Sequence, residues 1–183
     1  MGDFHQNGVV TTLHNLRQRP LEAMEADLMR FQKSRPMGLV LPSLFSELEG
    51  PALSGIVEEL TKVPYLSEIV IGLDRASEDQ YRFAIDYFSG LPQHHKILWN
   101  DGPRLRAIDG QLKELGLAPT EEGKGRNVWY CYGYILASGK ADAVALHDMH
   151  PHLHKLLPTY LGSVGGTLEL QVVFAICLPV SVS

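Results

Sequence analysis

The chain has little cysteine, no long apolar run and no excess of positive charge. Cys131 and Cys177, its two cysteines, lie far apart and lack metal-ligand spacing, which argues against a disulfide framework and suits a reducing compartment, the cytoplasm. The longest apolar stretch, Leu170 to Val182, is broken by Gln171 and Pro179 and is too short to cross a bilayer. The first twenty residues carry Asp3, His5 and Gln6 and no apolar core of signal-peptide length. Sixteen Lys and Arg stand against twenty-one Asp and Glu, a formal charge of -5, so nucleic acid is not expected as a general partner. What is present is a hydrophobic share of 45% with 20% charged residues over 183 residues, the composition and size of one folded domain rather than of a disordered chain.

Along the chain, helical and strand-like segments alternate. Leu21, Met24, Leu28 and Phe31 recur at helical spacing behind Pro20, and Pro36 closes that segment. Met37 to Leu41 is a short continuous apolar run ended by Pro42, as in a strand buried on both faces. Leu53, Ile56, Val57 and Leu60 form the next helical stripe, and Glu68 to Gly72 the next strand. Ser77 with Gln80 fits a capping box ahead of a stripe of Tyr81, Ala84, Ile85 and Phe88. Lys96 to Trp99 is strand-like, Asn100 to Pro103 is a turn by composition, and Leu105 to Leu115 is helical up to Gly116. Gly123-Lys124-Gly125 leads into a helix from Val128 to Ala137, and Ala143 to Leu146 is a final strand ending at His147-Asp148.

This alternation predicts an α/β architecture, a doubly wound and mostly parallel sheet with helices on both faces. The expected organisation is an N-terminal extension with a helix over 1–36, the α/β domain over 37–150, and an atypical tail over 151–183. Ligands in such sheets bind beyond the carboxyl ends of the strands, which singles out Pro42 to Glu47, Asp74, Asn100 to Pro103 and His147 to His150.

Several constellations there carry chemistry. Asp74 and Asp148 each follow an apolar strand, where one carboxylate suits a ribose hydroxyl and the other a hard divalent cation; the plain alternative is a strand-end Asp bonded to loop amides. Gly123-Lys124-Gly125-Arg126 ahead of a helix suits a phosphate, with backbone N–H groups, the helix N-terminus and two cations together, although it is not a Walker loop. His147, His150, His152 and His154 form the densest histidine cluster, which gives a zinc-binding protein some content beside the plainer exposed tail. Trp129, Tyr130, Tyr132 and Tyr134 are expected to be packing rather than a stacking platform, and His94-His95 to face solvent.

Taken in order, Leu41-Pro42-Ser43-Leu44-Phe45-Ser46-Glu47, Ile71-Gly72-Leu73-Asp74, Gly123-Lys124-Gly125 and Ala145-Leu146-His147-Asp148-Met149 resemble the nucleotide-sugar half of GT-A glycosyltransferases. The likeness is greatest to the retaining glucosyl-3-phosphoglycerate and mannosyl-3-phosphoglycerate synthases and covers roughly residues 37 to 149. The resemblance implies that Pro42, Leu44 and Glu47 line the base, that Asp74 lies near the nucleoside, and that Lys124 approaches the diphosphate. Asp148 matches the first carboxylate of an Asp-x-Asp motif that holds Mg²⁺ or Mn²⁺. The implied reaction moves glucose or mannose from a nucleotide diphosphate sugar to 3-phosphoglycerate or a related small phosphorylated acceptor, in enzymes that are commonly homodimers.

Two departures from the family stand out. His150, a softer nitrogen ligand, replaces the second Asp of the metal motif. The family continues with an acceptor-binding half, whereas here Lys155 and Glu169 are the only charged residues from Pro151 to Ser183. His150-Pro151-His152-Leu153-His154 can be encoded so that the frame one base later reads Ile-Leu-Thr-Tyr, similar to the residues after Asp-x-Asp in the family. We therefore expect a reading-frame change near Met149 and a truncated nucleotide-sugar half. The sequence leaves open whether such a chain transfers sugar or is a non-catalytic nucleotide-binding or interaction module.

Overall fold

The computed structural model describes residues 20–49, 51–147 and 171–174. Its strands are β1 (Met37–Leu44), β2 (Leu66–Asp74), β3 (His95–Trp99), β4 (Ala143–Leu146) and β5 (Gln171–Phe174). They form one sheet in the order β3-β2-β1-β4-β5 with every neighbouring pair parallel. Helices α1 (Leu21–Phe31), α2 (Phe45–Leu48), α3 (Pro51–Thr61), α4 (Glu78–Phe88), α5 (Pro103–Glu114) and α6 (Lys124–Ser138) complete the α/β fold. The strand order reverses between β1 and β4, so the chain leaves these two neighbours in opposite directions and opens a crevice at the carboxyl rim. Among the described residues, no helix is long and apolar enough to cross a membrane.

The middles of β1, β2 and β4 are apolar because both faces are covered. Successive side chains point to opposite faces, so Leu39, Leu41, Ile69, Ile71 and Leu73 meet Leu28 of α1, Ile56 and Leu60 of α3, and Ala84 and Phe88 of α4. Val40, Val70, Val144 and Leu146 meet Cys131 and Ile135 of α6 on the other face. Each fully buried side chain of this kind contributes roughly 1.5–3 kcal/mol. The Cys131 thiol, enclosed in the second core, is pushed up to about 12 by burial.

Several local expectations hold and several shift. The Ser77 capping box is complete, with Gln80 N–H donating to Ser77 Oγ at 3.3 Å and Ser77 N–H to Gln80 Oε1 at 2.8 Å. Ile85, expected on the buried stripe, is 43% exposed, because at 100° per residue it lies on the flank of the line through Ala84 and Phe88. α6 starts four residues before its predicted position, so Lys124 is its first residue rather than part of the preceding loop. Gly139 ends it in the left-handed conformation, φ 62°. β4 is not the final strand, since Gln171–Phe174 pairs in parallel beside it as β5. The remaining tail residues, which the sequence attributes to a frame change, lie outside the described residues.

α5 is fastened to α6 by a polar clasp. Buried Asp109 accepts a hydrogen bond from the Tyr130 hydroxyl and pairs with Lys113 Nζ at 2.8 Å. The bonds from Lys113 and Tyr130 hold the Asp109 carboxyl below the usual carboxylate range against the opposing effect of burial. Between α5, α6 and the edge strand β3 runs a groove of about 720 Å³ lined by Leu98, Trp99, Ile108, Leu112, Trp129 and Tyr134. The aromatic run is therefore only partly packing: Tyr130 is buried, whereas Trp129 is 43% exposed on this groove. His94 is exposed, as expected, and still has two polar neighbours. At the amino end of the sheet it lies between buried Glu68, 3.3 Å from Nδ1, and Lys140 Nζ, 3.0 Å from Nε2.

Candidate functional site

Leu44 and Asp74 are register partners at the ends of β1 and β2, preceded by Pro42↔Gly72 and Val40↔Val70. Val40 and Val70 contact the α6 core, so alternation places Pro42, Leu44, Gly72 and Asp74 on the same face, at the rim.

The strand runs through Pro42 where the sequence predicted its end. In a parallel ladder alternate residues direct both backbone groups to the same neighbour. Val40 faces β4, its carbonyl accepting from His147 N–H at 3.0 Å, and the last β1–β4 pair is Val40↔Leu146. Pro42 also faces that side, but beyond the end of β4, so its missing N–H removes no ladder bond. Beyond Leu44 the chain turns into α2, and Glu47 Oε2 accepts the Leu44 N–H at 2.8 Å. Glu47 thereby stiffens the segment that reaches the rim.

Asp74 is partly exposed and is followed by Arg75 at φ 56°, a left-handed conformation that costs a residue with a side chain of order 1–3 kcal/mol. The neighbouring loop holds it in place. Asp101 Oδ2 accepts from Ala76 N–H at 3.1 Å, Trp99 Nε1 donates to Ala76 O at 2.8 Å, and the Trp99 ring stacks on Tyr81 at 4.9 Å. Sequence reasoning marked Asn100 to Pro103 only as a rim turn and missed that Trp99 and Asp101 brace the loop behind Asp74. Acceptor-bearing Asp beside a Gly-Pro turn is the signal that was there to be used.

α6 begins over this rim. Gly123 precedes it at φ 130°, and buried Asn127 in its first turn donates from Nδ2 to Gly72 O at 2.9 Å. A β-carbon on Gly72 would lie 1.8 Å from Asn127 Oδ1 and 2.6 Å from Cys131 Sγ, so glycine is what lets the helix descend onto β2. Lys124 is one turn above that anchor and exposed, and the helix N-terminus adds its first-turn N–H groups and partial positive charge. Arg126, counted in the sequence as a second cation of this loop, instead neighbours Glu122 at 3.5 Å and Asp109 at 3.9 Å.

Pro42, Leu44, Glu47 and Asp74 thus converge at adjacent strand ends, with the start of α6 and Lys124 above them. Buried His147 closes β4 beside them. Asp148 and His150, and with them His152 and His154 of the histidine cluster, lie outside the described residues. Among the described residues no group of three or more His, Cys, Asp or Glu is arranged to hold a metal.

A parallel sheet whose order reverses beside β1, with helices on both faces and a helix N-terminus set over the ends of its central strands, is a doubly wound α/β arrangement, as the sequence predicts. The chain is 47% identical over 148 residues to glucosyl-3-phosphoglycerate synthase of Persephonella marina, a match spanning 81% of this chain and 37% of that protein. It is 34% identical over 150 residues to the synthase of the same name from Methanococcoides burtonii, spanning 80% of this chain and 35% of the other. The chain is therefore a glucosyl-3-phosphoglycerate synthase-like sequence, and it spans little more than a third of the length of the curated relatives it matches. A solved glucosyl-3-phosphoglycerate synthase from Mycobacterium tuberculosis, in complex with Mn²⁺, UDP and glucosyl-3-phosphoglycerate, superposes with a TM-score of 0.48 at 18% identity, covering 84% of this chain and 46% of that one. No family model matches the chain.

Proposed function

We propose that residues 37–150 bind a nucleotide sugar, UDP-glucose, and supply the donor half of a glucosyl transfer to 3-phosphoglycerate or a related small phosphorylated acceptor. The observation that carries this reading is the convergence of the ends of β1 and β2 with the start of α6, in a chain 47% identical to a synthase of that reaction. Pro42 and Leu44, stiffened by Glu47, line the base; Asp74 accepts from the nucleoside; Lys124 and the first turn of α6 take the diphosphate. A phosphate there meets backbone N–H donors and a flexible cation, and both gain strength as negative charge builds on a departing diphosphate.

The same reading gives the site a divalent cation through Asp148 and His150. One carboxylate and one imidazole suit Mn²⁺ better than Mg²⁺, which prefers an all-oxygen shell. When bound, the cation supplies neutralisation of the leaving diphosphate. Transfer itself, the acceptor site and homodimerisation belong to this proposal only as properties of the longer relatives. Location in the cytoplasm stands on the same footing.

Calorimetric titration with UDP-glucose and with GDP-mannose, each with and without Mn²⁺, tests the reading. UDP-glucose is expected to bind, more tightly with Mn²⁺ than without, and more tightly than GDP-mannose. Absence of heat under all four conditions would overturn donor binding. Donor binding without glucosyl transfer to 3-phosphoglycerate would identify the chain as a binding module.

A further inference from the structure

Asn100 stands one residue beyond β3 at the carboxyl rim. Its backbone N–H donates to Leu73 O at 2.9 Å, which sets it beside the end of β2, and the residue is 3% exposed. Leu98, two residues earlier, packs into the α6 core, so Asn100 continues the face on which Gly72 and Asp74 lie. Its side-chain oxygen is buried and has no hydrogen-bond partner. Such an atom costs roughly 1–3 kcal/mol. Three polar side chains of the same rim are already engaged: Asp101 with Ala76, Trp99 with Ala76, and Asn127 with Gly72.

The chemistry of the unmatched atom narrows what it serves. An amide oxygen only accepts hydrogen bonds, and an ionised diphosphate offers only acceptors. A single neutral oxygen is a poor cation site, and the carboxylate next to it, Asp101, is already engaged by Ala76 N–H and by Arg106 at 3.6 Å. The fitting partner is an N–H or O–H group, which the nucleoside of a nucleotide sugar carries on its base and ribose. Position agrees with this. The start of α6 is anchored on β2, and β3 lies one strand further along the rim, about 4.8 Å away. A nucleotide with its diphosphate at Lys124 extends its nucleoside along that line.

We propose that the Asn100 side-chain oxygen accepts a hydrogen bond from the nucleoside of the bound nucleotide, making Asn100 a recognition residue for the donor. The inference rests on the nucleotide-binding reading above and names a contact that reading does not contain.

The experiment titrates UDP and inorganic pyrophosphate, with Mn²⁺, into the wild-type chain, Asn100→Leu and Asn100→Asp, with the thermal midpoint of each. Asn100→Leu is expected to bind UDP about tenfold more weakly, the loss of one hydrogen bond, while its pyrophosphate affinity stays at the wild-type value. Its thermal midpoint is expected to hold or rise, because an apolar side chain of similar size replaces an unmatched buried acceptor. Asn100→Asp, which keeps an acceptor oxygen at the position, is expected to stay nearer wild type than Asn100→Leu does. Binding of 2′-deoxy-UDP and of N3-methyl-UDP to the wild type then tells ribose from base, the analogue lacking the partner donor showing the tenfold loss. Equal UDP affinity in wild type and Asn100→Leu would overturn the inference and leave the nucleotide site standing, with a buried water as the partner of Asn100. Parallel loss of UDP and pyrophosphate would also overturn it. A wild-type chain that binds no UDP would remove the underlying reading as well. Should Asn100→Leu fail to fold, Asn100→Ala takes its place with the same tenfold loss of UDP expected and pyrophosphate unchanged.

Discussion

Gly72→Ala is expected to destabilise the protein by about 2–4 kcal/mol, combining the overpacking of a filled core with loss of a buried hydrogen bond. The new methyl group would stand 1.8 Å from Asn127 Oδ1 and 2.6 Å from Cys131 Sγ, both carried by α6, so the helix has to lift off β2 or release the bond from Asn127 to Gly72 O. Against a typical total stability of about 5–15 kcal/mol this is a large fraction, and urea unfolding measures it directly. Nucleotide affinity should fall with stability, because the start of α6 is the part displaced. The double variant Gly72→Ala with Asn127→Ala removes the obstructing carboxamide and should recover part of the loss, a coupling expected only if the two residues meet as described. An unchanged urea midpoint for Gly72→Ala would mean that α6 does not rest on β2 in this way.

Lys124→Ala is expected to leave stability nearly unchanged and to weaken UDP-glucose binding about 10- to 150-fold, the worth of a charge-assisted hydrogen bond of about 1.5–3 kcal/mol. Lys124 is exposed at the first position of α6, so its truncation opens no cavity. Lys124→Arg should restore part of the affinity, and the salt dependence of binding should be shallower in Lys124→Ala than in the wild type. Titrations of the three proteins at two salt concentrations give all of these quantities. Equal affinity of wild type and Lys124→Ala would remove the diphosphate from this helix end.

The layered sheet was legible in the sequence because β1, β2 and β4 are buried on both faces and so read as unbroken apolar runs, a signal that needs no partner to be seen. Where β1 ends was not legible. Proline normally stops a strand, and only the shortness of β4, invisible from β1 itself, makes Pro42 harmless there. The start of α6 was missed for a related reason: glycine on either side of Lys124 lowers helix propensity, and the Asn127 to Gly72 bond that holds the first turn crosses from one element to another. The strand ends that form the rim could be named from alternation alone. That Trp99 and Asp101 brace the loop behind Asp74, that Arg126 turns toward Asp109, and that Asn100 carries an unmatched oxygen are tertiary facts with no local signature. Trp129 shows the opposite failure, since a bulky aromatic at helical spacing suggests core, yet the Asp109 clasp draws α5 to α6 and leaves the groove beside β3 open.

Backbone amide chemical-shift mapping of the isotopically labelled chain titrated with UDP, with and without Mg²⁺ as the diamagnetic stand-in for Mn²⁺, tests the placement of the site most directly. The perturbed amides are expected at 44–47, 72–76, 100–101 and 123–127, all on one rim of the sheet. Shifts centred instead on the α5–α6 groove around Ile108 and Trp129, or no shifts at saturating nucleotide, would contradict it.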